Sequence, residues 1–251
     1  MNWQAVDTIP ISIGVSISGA RAGAIRTALL RRAVPVSRML EGRLEPLATG
    51  SLVARGGELG LLTAAHIFEH VSVGDLAIPL PGHGSVARLS ERAVRVVVDA
   101  ERDLALVIIG DRFLARQLQM HWTPVPLAQL DAPATVASAI YGLAGYPIGQ
   151  TRRIDGCLFA KPVVVFTSFL ATSRYAYART AERIDGLGIH TPELEGASGA
   201  LIWSIDELGR DPSCVLRAVA MQVAFRHGQY VRAEPVVGVG RLFRQAWAQR
   251  E

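Results

Sequence analysis

From Val34 onward the sequence breaks into short apolar stretches divided by glycine, proline or charged turns. None of its apolar runs is long enough to span a bilayer. A chain patterned this way builds its core by pairing strands. The apolar segments predict strands over 47–54, 59–63, 76–80, 85–89, 92–98 and 104–109, then a proline-bounded link over 124–133. A second set follows over 136–142, 154–158, 163–168, 188–191, 200–203, 216–223 and 231–236. At 251 residues, half of them apolar, the chain can bury a full core and does not have the composition of a disordered protein.

Both ends depart from the strand texture. Ile9, Ile11, Ile13, Val15 and Ile17 alternate with smaller or polar residues, which predicts a half-buried strand. Residues 20–33 then predict a short basic helix with Ile25, Leu29 and Leu30 on one side. At the other end, residues 238–249 predict a helix, with Leu242 and Ala246, and Phe243 and Trp247, stacked four apart.

The net charge of +4 and a pI near 9.5 invite a nucleic-acid partner. The basic residues are scattered, however, and nearly all are arginine, Lys161 being the sole lysine. With no basic run interleaved with aromatics, a solvated surface is expected and nucleic acid is not. Residues 1–7 carry no Lys or Arg and so make a poor signal-peptide start. The chain has two cysteines, Cys157 and Cys214, which are expected to be free thiols. A cytoplasmic protein without a membrane segment is the expectation.

Three stretches carry chemistry. Glu195-Gly196-Ala197-Ser198-Gly199-Ala200-Leu201 sets a serine in a turn of small residues ahead of a buried run. Such a turn can aim successive backbone N–H groups at one developing oxyanion. Leu61 to His66 is an apolar run ending in a histidine. Asp103 stands at the mouth of the apolar run Leu104–Ile109. A serine hydroxyl needs a base in reach, and a neutral histidine needs a partner that fixes its tautomer.

The order His66, Asp103, Ser198, each in its context, resembles the trypsin-like (chymotrypsin-fold) serine peptidases. Gly145-Tyr146-Pro147 resembles the turn early in the second barrel of bacterial members. Ile189-His190-Thr191 resembles the strand before the oxyanion loop of HtrA-like protease domains, here without a PDZ module. The resemblance implies an all-β fold of two packed six-stranded β-barrels with a C-terminal helix and an N-terminal extension. The extension would cover residues 1–45 and the peptidase domain 46–251, with barrels over about 46–123 and 134–237 and the helix over about 238–250.

The function implied is endopeptidase hydrolysis through an acyl-enzyme on Ser198, with His66 as base and Asp103 as its orienting partner. By resemblance the backbone N–H groups of Gly196 and Ser198 form the oxyanion hole. Pro192 would floor the primary substrate pocket and Met221, Gln222 and Val223 would wall it. No acid stands at Pro192, so a preference for small or medium apolar side chains is expected rather than for Arg or Lys. Ala197 replaces the aspartate that captures a freed N-terminus in secreted members, so no activating N-terminal cut is expected. No cofactor or metal is called for. A protein or peptide substrate is the expected partner, and a regulatory protein a further one.

Two rival functions stand beside this. A trypsin-fold chain can serve as a catalytically silent binding module. His66-Ile67-Phe68-Glu69-His70 also spells the H-x-x-E-H zinc-peptidase signature, which needs a regular helix with both histidines on one face.

Overall fold

The computed structural model describes residues 8–12, 15–81, 85–89, 93–131, 141–154, 157–167, 169–171, 176–179, 181–184, 187–190, 194–205, 216–226 and 230–248. The chain begins with a hairpin of β1 (Thr8–Ser12) and β2 (Val15–Ser18), followed by helix α1 (Gly19–Leu30). The single strand expected from the alternation is thus two strands paired to each other.

A first sheet contains β3 (Val34–Leu40), β4 (Arg43–Arg55), β5 (Glu58–Ala64), β6 (Leu76–Pro79), β7 (Val86–Arg88), β8 (Ala93–Asp99) and β9 (Leu104–Ile109). Its order is β7-β6-β3-β4-β5-β9-β8. Helix α2 (Arg112–His121), strand β10 (Val125–Pro126) and helix α3 (Leu127–Asp131) lead away from it, and β10 pairs in parallel with β4.

The second half comprises β11 (Tyr141–Gly145), a hairpin of β12 (Thr151–Ile154) and β13 (Cys157–Ala160), then β14 (Val163–Thr167), β15 (Phe169–Ala171) and β16 (Ala176–Arg179). A second hairpin pairs β17 (Ala181–Ile184) with β18 (Leu187–His190). Strands β19 (Leu201–Ile205), β20 (Leu216–Arg226) and β21 (Tyr230–Pro235) and the C-terminal helix α4 (Val239–Ala248) complete it. The large sheet of this half runs β14-β11-β19-β20-β21-β16-β15. Apart from the contact of β10 with β4, every strand pairing among the described residues is antiparallel. The protein is therefore mostly β, with a C-terminal helix. No helix among the described residues is long and apolar enough to cross a membrane.

Burial explains the unbroken apolar run of β9. Leu104, Leu106 and Ile108 pack in a core with Leu201, Trp203 and Phe243, between the two sheets. Val107 and Ile109 turn the other way, into a core with Leu52, Leu59 and Leu61 inside the first sheet. A strand buried on both faces loses the alternation of a half-buried one. A third core, including Tyr141, Leu143 and Ile202, serves the second sheet.

Several boundaries differ from those the sequence suggested. The division at 45/46 falls inside β4, and β3 is an internal strand of the first sheet, so residues from Val34 on belong to it. Within the link expected over 124–133 stand β10 and α3, which bury Val125, Leu127 and Leu130. The strand expected over 154–158 is divided between two antiparallel strands, Ile154 ending β12 and Cys157 opening β13. Helix α2 was not anticipated; Asp111 caps it by accepting from the N–H groups of Phe113 (2.7 Å) and Leu114 (3.1 Å), while Leu114 and Leu118 are buried.

The N-terminal helix is integral to the core. Ile25 and Leu29 are buried among residues of both sheets, and the Arg32 guanidinium lies 5.4 Å from the centre of the Trp203 ring. Leu29→Ala should therefore destabilise the whole protein by about 2–5 kcal/mol, the usual loss for a buried leucine. A urea unfolding curve checks this; a change within about 0.5 kcal/mol, typical of exposed positions, would contradict it.

Candidate active site

Register brings the histidine and the aspartate together. Strands β5 and β9 pair with Ala64 opposite Leu104 and Leu59 opposite Ile109. One step beyond that pairing, Ala65 N–H donates to the Asp103 carbonyl at 3.1 Å. His66 N–H donates to Asp103 Oδ1 at 2.8 Å, and His66 Nδ1 lies 2.8 Å from Asp103 Oδ2. Asp103 makes this grip from a left-handed backbone conformation, φ 54°, which aspartate tolerates better than most residues. With Nδ1 held by a carboxylate, Nε2 is the nitrogen left to act as base.

The imidazole is partly buried, and its pKa is raised above the ordinary 6.5. The hydrogen bond to Asp103 is the largest cause; burial opposes it, and the Asp103 and Glu69 charges reinforce it. Glu69 itself is exposed.

The serine loop is held between the two halves. Thr49 N–H donates to the Ser198 carbonyl at 2.9 Å. Thr49 Oγ1 donates to the Gly196 carbonyl at 3.2 Å and accepts from Tyr146 N–H at 2.9 Å. Thr63 Oγ1 donates to the Thr49 carbonyl at 2.9 Å. On the other flank Ile148 N–H donates to the Glu195 carbonyl at 2.7 Å. Gly199 has φ +91° and leaves no room for a side chain, because a Cβ there would stand 2.0 Å from the Thr49 carbonyl oxygen. Thr63, three positions before His66, thus presses against the residue after Ser198.

The amides of this loop divide in two. Ala197 N–H donates to the Leu194 carbonyl (2.9 Å), Gly199 N–H to that of Gln222 (2.8 Å) and Ala200 N–H to that of Ala197 (3.0 Å). Among the described residues, the N–H groups of Gly196 and Ser198 donate to no protein acceptor. Gly196 has φ +86°, a left-handed conformation suited to glycine. Ser198 is partly exposed, and its hydroxyl makes no hydrogen bond to His66. Such contacts are often long before substrate binds.

Met221, Gln222 and Val223 lie on β20 behind the loop, all buried. Gln222 N–H donates to the Ala200 carbonyl at 2.8 Å. Its side-chain Nε2 and Oε1 are buried without a partner among the described residues. Pro192 lies outside the described residues. The segment holding His66, Glu69 and His70 is a 3-10 turn, Ala65–Glu69, closing at His70. At three residues per turn, positions four apart point in different directions. Among the described residues no group of three His, Cys, Asp or Glu could hold a metal ion.

Thr49 and Thr63 were not singled out from sequence. The available signal was a polar residue inside an otherwise apolar strand, since both are fully buried and a buried hydroxyl needs partners.

Two outcomes follow for this site. Thr49→Val keeps the shape but orphans the Gly196 carbonyl and Tyr146 N–H, and should cost about 1–3 kcal/mol per group left unsatisfied, read by urea unfolding. His66 should titrate above 6.5 by NMR, and Asp103→Asn should bring its pKa down. The sign for stability is that of a raised pKa. The pair's contribution is complete below about 6.5 and fades as pH rises through the folded value. A wild-type His66 titrating below 6.5 would contradict the geometry.

No family model matches this sequence, and no curated protein matches it. A solved structure described in the words "Aromatic interactions drive the coupled folding and binding of the intrinsically disordered Sesbania mosaic virus VPg protein" aligns over 82% of this chain and 87% of its own. The identity is 17% and the TM-score 0.48.

Proposed function

We propose that this chain is a trypsin-like serine endopeptidase, of the bacterial HtrA-like branch, working through Ser198, His66 and Asp103. The observation that carries the reading is the two-point grip of Asp103 on His66, through the backbone N–H and through Nδ1. That grip leaves Nε2 to accept the Ser198 proton. Ser198 Oγ attacks the scissile carbonyl carbon, and the N–H groups of Gly196 and Ser198 receive the developing oxyanion. The C–N bond breaks as the imidazolium returns its proton to the leaving amine. Water, deprotonated by the same imidazole, then releases the acyl group. One oxyanion donor of this kind is worth about 10²–10³ in rate.

Two six-stranded barrels are part of the same proposal; the order of each sheet, seven strands long, supports its curling though not that count. The margins of the second sheet, β14 and β15, are separated by residue 168 alone. Two Cα steps span at most about 7.6 Å. A flat sheet of that order would hold its margins about 29 Å apart. The first sheet behaves alike, since residues 89–92 alone separate its margins β7 and β8. Sheets whose margins are neighbours along the chain must curl back on themselves. A cytoplasmic location belongs to the proposal too, on the scarcity of cysteine in the sequence.

A binding module is the second reading, favoured by the absence of a Ser198–His66 hydrogen bond. Fluorophosphonate labelling of the intact chain, read by mass, separates the two. Wild type should gain one adduct on Ser198, Ser198→Ala none, and His66→Ala should label at least a hundredfold more slowly. Where turnover of a peptide is measured, the losses in the Ser198/His66 double variant should not add, because the pair acts as one unit. A wild-type protein that refuses the label, or activity lost to a chelator and restored by zinc, would overturn the serine mechanism.

A further inference from the structure

On the other side of the Ile148–Gln150 segment from the Ser198 loop lies a groove of about 1550 Å³ between the β3–β4 turn, the β6–β7 region and the β12–β13 hairpin. Among the described residues its lining includes four cations, Arg43, Arg152, Arg153 and Lys161, and no acid. A concave surface of one sign focuses its field and attracts the opposite charge. Arg43 and Arg152 are exposed and have no ion pair among the described residues. Arg153 is anchored by donating to the Leu44 carbonyl at 2.6 Å, which ties the hairpin to the β3–β4 turn.

The hairpin gives the groove a second chemistry. In its register Arg152 faces Phe159, and Ile154 lies two residues on from Arg152, so all three share one face. Ile154 and Phe159 are 53% and 54% exposed, flanking the Arg152 position with apolar surface. Among the described residues β12 and β13 pair only with each other, so the hairpin has outer edges whose backbone groups can pair with an added strand. Anionic side chains, apolar side chains and extended backbone are together the properties of an acidic peptide. A single-stranded nucleic acid would call for a row of exposed aromatic faces along the cations. Of the aromatics lining the groove only Phe159 is exposed among the described residues, Tyr146 being half-buried and Trp122 buried.

The groove also adjoins the candidate active site. Ile148–Gln150 form a single 3-10 turn. Ile148 holds the Glu195 carbonyl and packs where a side chain on Gly196 would stand, while Gly149 and Gln150 line the groove.

We propose that this groove binds an extended acidic segment carrying apolar side chains, belonging to the protein that the peptidase cleaves, and so selects substrates by a stretch outside the scissile bond. The cleavage clause rests on the function proposed above; the binding clause does not.

The test uses the full chain carrying Ser198→Ala, so that nothing turns over. The probe is a fluorescein-labelled peptide repeating Glu-Leu-Glu-Phe, followed by anisotropy. It should bind, and weaken as salt rises. Arg43→Glu with Arg152→Glu should weaken it about tenfold or more, with circular dichroism unchanged. A counterpart with Lys for Glu should not bind. Equal binding of that counterpart, an unchanged Kd in the double variant, or displacement of the peptide by oligo-dT would each overturn the assignment. In the chain with Ser198 intact, the double variant should still take the fluorophosphonate. Loss of that label in the wild type sinks the peptidase reading alone; loss of peptide binding sinks the groove alone.

Discussion

Everything about the candidate site depends on how closely Gly199 approaches Thr49. The second half of the chain supplies the serine loop and the first half supplies the histidine, so the two are useful together only if the halves meet at fixed distance. The contact is backbone on backbone: a Cβ at Gly199 would stand 2.0 Å from the Thr49 carbonyl oxygen and 3.0 Å from Thr63 Cα. Glycine is therefore required by space as well as by its φ of +91°. The same approach lets Thr49 satisfy the Ser198 and Gly196 carbonyls. Contacts from Thr49 and Ile148 thus hold the loop without charge at Ala197, which is fully buried.

The aspartate works under a related constraint. Its left-handed backbone is disfavoured for residues with a Cβ by about 1–2 kcal/mol. Three hydrogen bonds accompany it: the Asp103 carbonyl accepts from Ala65, Oδ1 from the His66 backbone, and Oδ2 meets Nδ1. A single residue closes the β5–β9 pairing and orients the imidazole. The strand register and the ring orientation cannot then be varied independently.

Much of this was legible in the sequence, and for identifiable reasons. Strands such as β5 and β9 declare themselves because both faces are buried, so that every position of β9 is apolar and β5 is broken only by Glu58 at its start and by Thr63. His66, Asp103 and Ser198 stand out because each is a reactive type placed at the end of such a strand. The strand expected over 154–158 gives way to two paired strands, since Arg152, Arg153, Ile154 and Phe159 are exposed and carry no hydrophobic period to set a register. Helix α2 was missed because the burial of Leu114 and Leu118 competes with the exposed Phe113 and Met120 on the same ten residues. Thr49 was invisible for a different reason. A threonine within a strand is an ordinary β-former, and its role comes from partners about a hundred or more residues away in the chain.

Charge shows the same gap between order along the chain and order in space. The arginines are dispersed in sequence, and dispersion argues for a solvated surface. Folding undoes it at one place: Arg43 comes from the β3–β4 turn, Arg152 and Arg153 from the β12–β13 hairpin, and Lys161 from the segment after it, all onto one groove. No acid stands among its described lining residues, and Glu45 nearby in sequence is already paired with Arg38 at 2.7 Å. A net charge of +4 is too small to make the whole surface attractive to polyanions. A local field from four cations on apolar walls acts over about a Debye length, some 8–10 Å in physiological salt. Its range therefore matches a short peptide segment lying in the groove, and favours partners that bring carboxylates and apolar side chains together over those that bring charge alone.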